Sequence, residues 1–435
     1  MKITFVEVEL TSLTPLSVSA PESNLVDGGT WHPSGSNRKV DMPLHRSADG
    51  TVVIPGSTIA GSLRALLPVD HRALMMGTVE GGSVASPLHV LDARVAQPAG
   101  SEPIVVRRRT AIDRPRGAAA TNKLFDGEAA PAGSAIAVFL ELHDGTELLE
   151  PLITGLRSWK PQFGRGATTG AGACTVEAIR HATLDLVDES DLVAYLDLNG
   201  PSGVRQLLRQ RGTPVSPLPA ERRWVIERRY EIADALHVGS GRAQGNVLLM
   251  ERDAQGRPVV PGSSIKGVLR SRSEFILRSI GVKACESGSC GDCPTCHLFG
   301  YTLPAPDERG HTGGRGLVAF HDAPVDAVSE ANRAHVAIDR VTGGARDSAL
   351  YSMQSVDVGA LDVRIEALAD LPDWAPGLLL AALRDVDDGY VGFGSATTRG
   401  YGTLRPAVPP DSVDEDAITS AIARLADEFQ EGGNR

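Results

Sequence analysis

Along the first ten residues, Met-Lys-Ile-Thr-Phe-Val-Glu-Val-Glu-Leu, apolar and polar side chains alternate like those of a β-strand, and the two glutamates argue against a secretory leader. Residues 224–232, Trp-Val-Ile-Glu-Arg-Arg-Tyr-Glu-Ile, echo that pattern and predict a second opening strand. After each comes a turn, a helix entered through Pro-Gly-Ser, further strands, and a Gly-rich turn into a closing strand. The helix of the second half is the clearer one. Ser264 is placed to cap it, and Ile265, Val268, Leu269, Phe275 and Ile276 fall roughly on one face. Residues 414–429 predict an amphipathic helix. Strands in runs predict an α+β fold rather than a doubly wound sheet.

The order of elements recurs because the sequence recurs. Ile54-Pro-Gly-Ser-Thr-Ile-Ala-Gly-Ser-Leu-Arg64 returns 206 positions later as Val260-Pro-Gly-Ser-Ser-Ile-Lys-Gly-Val-Leu-Arg270. Val90-Leu-Asp92-Ala returns as Phe320-His-Asp322-Ala at an offset of 230, and Ala111-Ile-Asp-Arg114 as Ala337-Ile-Asp-Arg340 at 226. The Gly-rich segment from Phe163 to Gly172 returns from Phe393 to Gly402 at 230. Four segments in one order with a single large step mark a tandem duplication with an insertion in the second copy. A glycine and three prolines within residues 211–219 place the seam near residue 220. The expected organisation is a first domain at 1–180, a linker at 181–222, a second domain at 223–408 and an acidic helical tail at 409–435.

With 435 residues, 42% hydrophobic and 22% charged, the chain is a globular protein of about two domains. No run approaches the roughly 20 apolar residues that span a bilayer, so a cytoplasmic protein without membrane contact is expected. The net charge of −11 argues against a general polyanion binder. It leaves room for a basic groove, because Asp411, Asp414, Glu415, Asp416, Asp427, Glu428 and Glu431 crowd the last 25 residues.

Four of the five cysteines, Cys285, Cys290, Cys293 and Cys296, lie within twelve residues where the repeat offset steps up. Four thiolates so close in a reducing compartment suit a structural, tetrahedral Zn²⁺, with Gly288 and Gly291 turning the chain between ligands. Two disulfides are disfavoured by the compartment, and an iron–sulfur cluster is the other alternative. His297 is superfluous to a full shell, and Cys174 reads as a buried small residue.

Basic residues gather around the repeated motifs: Arg107, Arg108, Arg109, Arg114, Arg116 and Lys123 in the first half, Arg333, Arg340 and Arg346 in the second. Such runs are more often solvated faces, and their recurrence around a repeated motif shifts the reading towards phosphate contacts. The helix starts add Ser57, Ser263 and Lys266 beside backbone amides that favour an anion, or else simple capping. Arg64 and Arg270 end the same motif, and Arg165 and Arg399 lie in the Gly-rich segments. With 4% aromatic residues, base-by-base readout by stacking is not expected. Neither a phosphate-binding P-loop, a G-x-S-x-G elbow nor an H-E-x-x-H zinc motif occurs.

Taken together, Leu236-His-Val-Gly-Ser-Gly241, the Pro-Gly-Ser helix starts, Leu298-Phe-Gly300, the Ile-Asp-Arg segments and the closing Gly-rich turns resemble the RAMP superfamily of CRISPR-associated proteins. The likeness is to the backbone subunit of type III effector complexes, here as two fused copies, the first matching more loosely. The resemblance implies a modified ferredoxin-like, RNA-recognition-like fold in each half, guide-RNA binding along the backbone, a β-hairpin thumb near Ile-Asp-Arg, and company of other effector subunits. It also implies that an aspartate before Pro-Gly-Ser supports Mg²⁺- or Mn²⁺-dependent cutting of complementary target RNA. In the family that aspartate opens an Asp-Ser-Pro-Val-like tetrad; Asp41-Met-Pro-Leu44 matches it in the first copy, whereas the second reads Val247-Leu-Leu-Met250 in the same frame, or Asn246 with a one-residue slip. The first copy is therefore expected to cut and the second only to bind. The alternatives are an inert backbone subunit, a guide-processing endoribonuclease for which His32 and His45 sit in no recognisable setting, and a zinc-stapled adaptor without RNA.

Overall fold

A computed structural model describes residues 1–19, 40–78, 84–100, 104–114, 118–219, 221–303, 305–306, 310, 312–409 and 411–430. Arg116, His32, Glu431 and most of segment 19–50 lie outside the described residues. Two compact units result. The first comprises residues 1–107, 125–167 and 171–221, the second residues 108–124, 168–170 and 222–435.

Strand β1 (Lys2–Ser12) is the middle of the first sheet. It is followed by β2 (Val53–Ile54), α1 (Gly56–Leu66), α2 (Val69–Met76), β3 (Leu88–Val90) and β4 (Ala93–Ala96). A long hairpin of β5 (Val105–Asp113) and β6 (Ala118–Ala129) precedes β7 (Ala135–His143), α3 (Thr146–Arg157) and β8 (Cys174–Asp185). The sheet runs β2-β4-β7-β1-β8-β9, with β9 (Thr213–Val215) at its edge and β3 against β7. Among β1, β4, β7 and β8 the spatial order is fourth, first, third, second, with α1 and α3 in the two crossings.

The alternation of β1 is real but both of its faces are covered. Val6, Val8 and Leu10 enter one core, with Ile59 and Leu63 of α1 and Leu152 and Leu156 of α3. Ile3 and Phe5 enter another with Val204, Leu207 and Leu208. Those three residues belong to α5 (Gly200–Arg211), which comes after α4 (Glu189–Leu196); residues 181–222 thus hold the end of β8, two helices and β9. Glu7, on the α5 side, is buried and paired with Arg205 at 2.6 Å.

The second unit repeats the plan. It holds β10 (Trp224–Ile232), β11 (Gly239–Gln244), β12 (Val247–Met250), β13 (Val259–Val260) and α6 (Gly262–Ser279). A short insert contains α7 (Pro294–Phe299), β14 (Gly300–Thr302) and β15 (Gly313–Arg315). Then come β16 (Val318–Phe320), the long hairpin of β17 (Ala323–Ile338) and β18 (Ala345–Ala367), α8 (Ala375–Asp387), β19 (Leu404–Pro406) and α9 (Ser412–Gln430). Here β19, β10, β18 and β17 are neighbours in that order, again fourth, first, third, second.

α6 begins at Gly262 with Pro261 as its N-cap and no side-chain cap, so Ser264 lies inside the first turn rather than capping it. Its buried face is Ile265, Leu269 and Leu277; Phe275 points to solvent beneath Arg272, whose guanidinium sits 4.3 Å from the ring centroid. Val268 and Ile276 are partly buried against the same core, so of the predicted face only Phe275 leaves it. α9 packs Ala421 and Leu425 into the core, with Phe429 edge-on to Trp374.

Candidate functional site

In the first unit, Asp41 heads an extended segment that is tied to β6 by backbone bonds: Met42 donates to Asp126 O (3.0 Å) and Glu128 donates to Met42 O (3.0 Å). The Asp41 carboxylate accepts the Asp126 amide at 2.9 Å while its residue remains exposed. Buried Glu128 fixes the far end of the segment, accepting from the Leu44 amide and from Arg46 Nη2, both at 2.9 Å. The Gly-rich turn closes from the other side. Arg165 donates its amide to Ser17 O (2.9 Å) and extends its guanidinium to Met42 Sδ at 3.2 Å. Gly164 holds a left-handed φ of 80°, and a Cβ there would meet Ser17 O at 2.1 Å, so only glycine fits. An exposed carboxylate and an exposed guanidinium therefore flank one residue, Met42, on a fixed loop.

The second unit carries the same frame without the carboxylate. Glu251 donates to Val238 O and Val259 to Glu251 O, as His45 does to Val18 O and Val53 to His45 O. Gln354 Oε1 accepts the Met250 amide at 3.0 Å where Glu128 accepts Leu44. In that register Val247 stands where Asp41 stands. His237 replaces Ser17: its Nδ1 meets Gln354 O at 2.5 Å, as Ser17 Oγ meets Glu128 O, and burial pushes its pKa down. Ser395 donates to His237 O from the matching Gly-rich turn.

Sequence reasoning missed a ring cluster beside that turn. His335 stacks on Tyr351 with centroids 5.3 Å apart and bonds Tyr401 Oη through Nε2 at 2.8 Å. Exposed Arg399 donates to Tyr351 Oη at 2.7 Å, and Arg333 lies 5.8 Å from the Tyr401 ring. These residues come from β17, β18 and the closing turn, so only the β17–β18 register brings His335 opposite Tyr351.

The predicted contacts divide by exposure. Ser57, Arg64, Arg165, Arg340 and Arg399 are exposed, Arg340 at the turn of the β17–β18 hairpin. Arg107 is buried, whereas Arg108 and Arg109 are half-buried, Arg108 donating to Gly241 O at 2.8 Å. Three cations of the second unit are spent internally. Arg114 pairs with Glu274 at 2.7 Å and donates to Gly288 O. Arg270 bonds Glu274 (3.0 Å), Gly300 O (2.7 Å) and Cys296 Sγ (3.6 Å). Lys266, bonded to Thr168 Oγ1 at 2.8 Å, is lowered to a pKa of about 8 by burial and by the Arg270 charge. Ser263 is half-buried at the first turn of α6. The anion that each helix start favours is the chain's own: Asp92 accepts the Gly56 amide and Asp322 the Gly262 amide.

The four cysteines converge. Cys285 lies 3.7 Å from Cys293 and 3.6 Å from Cys296, and Cys290 lies 3.9 Å from Cys296, sulfur to sulfur. A tetrahedron with metal–sulfur arms of about 2.3 Å has edges of roughly 3.8 Å, so these thiols can hold a metal ion such as zinc. Gly288 and Gly291 turn the chain at φ 65° and 88°, and His297 points to solvent. The hydrogen bond from Cys296 pulls the Cys293 thiol down, whereas burial pushes Cys285 up. Among the described residues, Asp41 belongs to no group of three or more metal-ligating side chains. Cys174 is buried, and burial raises its thiol to about 12. No helix among the described residues is long and apolar enough to cross a membrane.

Residues 9–175 and 230–405 each match the family model described as RAMP superfamily, one match per repeat. No curated protein matches the chain.

Proposed function

The chain belongs to the RAMP superfamily, and from that premise we propose that it is a guide-RNA-binding backbone subunit of a type III CRISPR effector complex, two fused copies with one cutting site. The spatial order fourth, first, third, second with a helix in each crossing supports a ferredoxin-like core in both units. The Ile-Asp-Arg segments end the first strands of the two long hairpins, where thumbs belong.

The observation that carries the cutting assignment is the pinned, exposed Asp41 beside Arg165, set against Val247 in an otherwise shared frame. Ribose brings its own nucleophile, so a fixed loop need only hold the RNA in line. Arg165 would bind a phosphate and Asp41 would hold, jointly with that phosphate, a Mg²⁺ or Mn²⁺ whose charge stabilises the developing oxyanion. Arg64, Arg340, Arg399 and Ser57 are the other exposed candidates for RNA contacts. The four cysteines would hold a structural Zn²⁺ that staples the insert of the second copy.

A second reading, an inert backbone that only binds guide and target, draws on Asp41's standing outside any three-ligand group among the described residues. One experiment separates them: target-RNA cleavage by the assembled, guide-loaded complex with Mg²⁺ or Mn²⁺, wild type against Asp41→Ala, with guide binding followed in parallel. Loss of one discrete product with binding intact assigns the cut to Asp41. Persistence of every product makes the chain a scaffold.

A further inference from the structure

On the first sheet, two imidazoles and a carboxylate share one face. Along β7 the even residues Ile136, Val138, Leu140 and Leu142 enter the core, which turns Glu141 and His143 to the opposite side. Strand β3 pairs antiparallel with β7, His89 directly opposite Glu141, so its side chain emerges on that same side. The imidazoles of His89 and His143 lie 4.4 Å apart between centroids, tilted by 31°. His143 Nε2 is 3.4 Å from Glu141 Oε2, and one donor atom from each residue lies within 4.8 Å of the other two.

We propose that His89, Glu141 and His143, gathered by the β3–β7 register, form a metal site for one divalent ion of the zinc class, with a coordination position open to solvent. Two neutral nitrogen donors and one carboxylate are the donor set that borderline ions such as Zn²⁺ take. Metal–ligand arms of about 2.0–2.1 Å make a tetrahedral edge of roughly 3.3–3.4 Å, which the Glu141–His143 separation already matches. The remaining contraction falls to His89, which is exposed and turns without disturbing the core. Backbone pairing holds all three positions, so little ordering is left for the ion to impose. Three protein ligands leave the fourth place to water, unlike the closed cysteine set.

The proposal is independent of the RNA reading and is tested on the full chain alone. Protein dialysed against micromolar ZnCl₂ is analysed for bound zinc, in wild type, His89→Ala/His143→Ala, and Cys293→Ser. The expected result is one equivalent more in wild type than in the double histidine variant, with the zinc-free melting temperature of that variant unchanged. Glu141→Gln should weaken the same equivalent by about tenfold or more, or about 1.4 kcal/mol. Equal zinc in wild type and the double histidine variant would overturn the site and leave an ordinary histidine–carboxylate surface pair.

Discussion

The carboxylate of Asp322 accepts the backbone amide of Gly262 at 2.9 Å, joining two motifs that recur in the first copy, where Asp92 does the same to Gly56 at 2.7 Å. The amide is one of the four that a helix start leaves without an intrahelical partner. The helix docks there directly: a Cβ on Gly262 would meet Phe320 O at 1.9 Å. Asp322→Ala should therefore cost about 1–2 kcal/mol, and Asp322→Asn less, since the amide oxygen still accepts. Urea unfolding of the two variants beside wild type checks this; equal midpoints would show that the bond contributes nothing.

What was legible in the sequence were the parts carried by contiguous residues. The duplication survives because Pro-Gly-Ser, Ile-Asp-Arg and the Gly-rich turns each do their work locally. The cysteines converge because twelve residues cannot spread far. What was hidden depended on distant partners. Arg114 and Arg270 read as phosphate ligands, but Glu274, only 1% exposed in its side chain, takes both. The stretch 181–222 read as a linker from its prolines, although Val204, Leu207 and Leu208 cover Ile3 and Phe5. His335, Tyr351 and Tyr401 are scattered over more than sixty positions, and only strand register assembles them.

Lys266 gives the chain a measurable pH dependence. Burial lowers its pKa from 10.5 to about 8. Between those values the unfolded chain binds more protons than the folded one, so this group's contribution to stability rises with pH across that window. Lys266→Met should remove the slope and stabilise the protein at pH 7 by up to about 3 kcal/mol. Thermal melts of wild type and variant from pH 7 to 10 should converge as the pH rises. A constant gap would mean a lysine that titrates as in water.

Metal removal should loosen the second unit locally before it unfolds. The four thiols are tied to α6 through Arg270, which reaches both Cys296 Sγ and Gly300 O. A chelator strong enough to strip zinc should expose residues 284–303 to hydrogen exchange and lower the melting temperature by several degrees, while the first unit's β1, β7 and β8 stay protected. Arg270→Ala should do both in part, because it also leaves the buried Glu274 carboxylate with Arg114 in place of two arginines, a loss of about 2 kcal/mol. Unchanged exchange in residues 284–303 after verified zinc loss would remove the metal from the folding argument.

The ring cluster of the second unit makes the sharpest prediction about RNA. Tyr351 is held from one side by His335 and from its hydroxyl by Arg399, so ring and cation are presented together. Stacking a base on such a ring contributes about 1–3 kcal/mol, and the guanidinium adds a phosphate contact whose worth falls with salt. Tyr351→Ala should then weaken guide binding by roughly tenfold or more at every salt concentration, whereas Arg399→Gln should weaken it strongly at low salt and little at high salt. Tyr351→Phe separates the two effects: it keeps the ring but releases Arg399. Filter binding of guide RNA across a salt series reads all three. If Tyr351→Ala binds like wild type, the cluster is packing for the base of the hairpin, and RNA runs elsewhere.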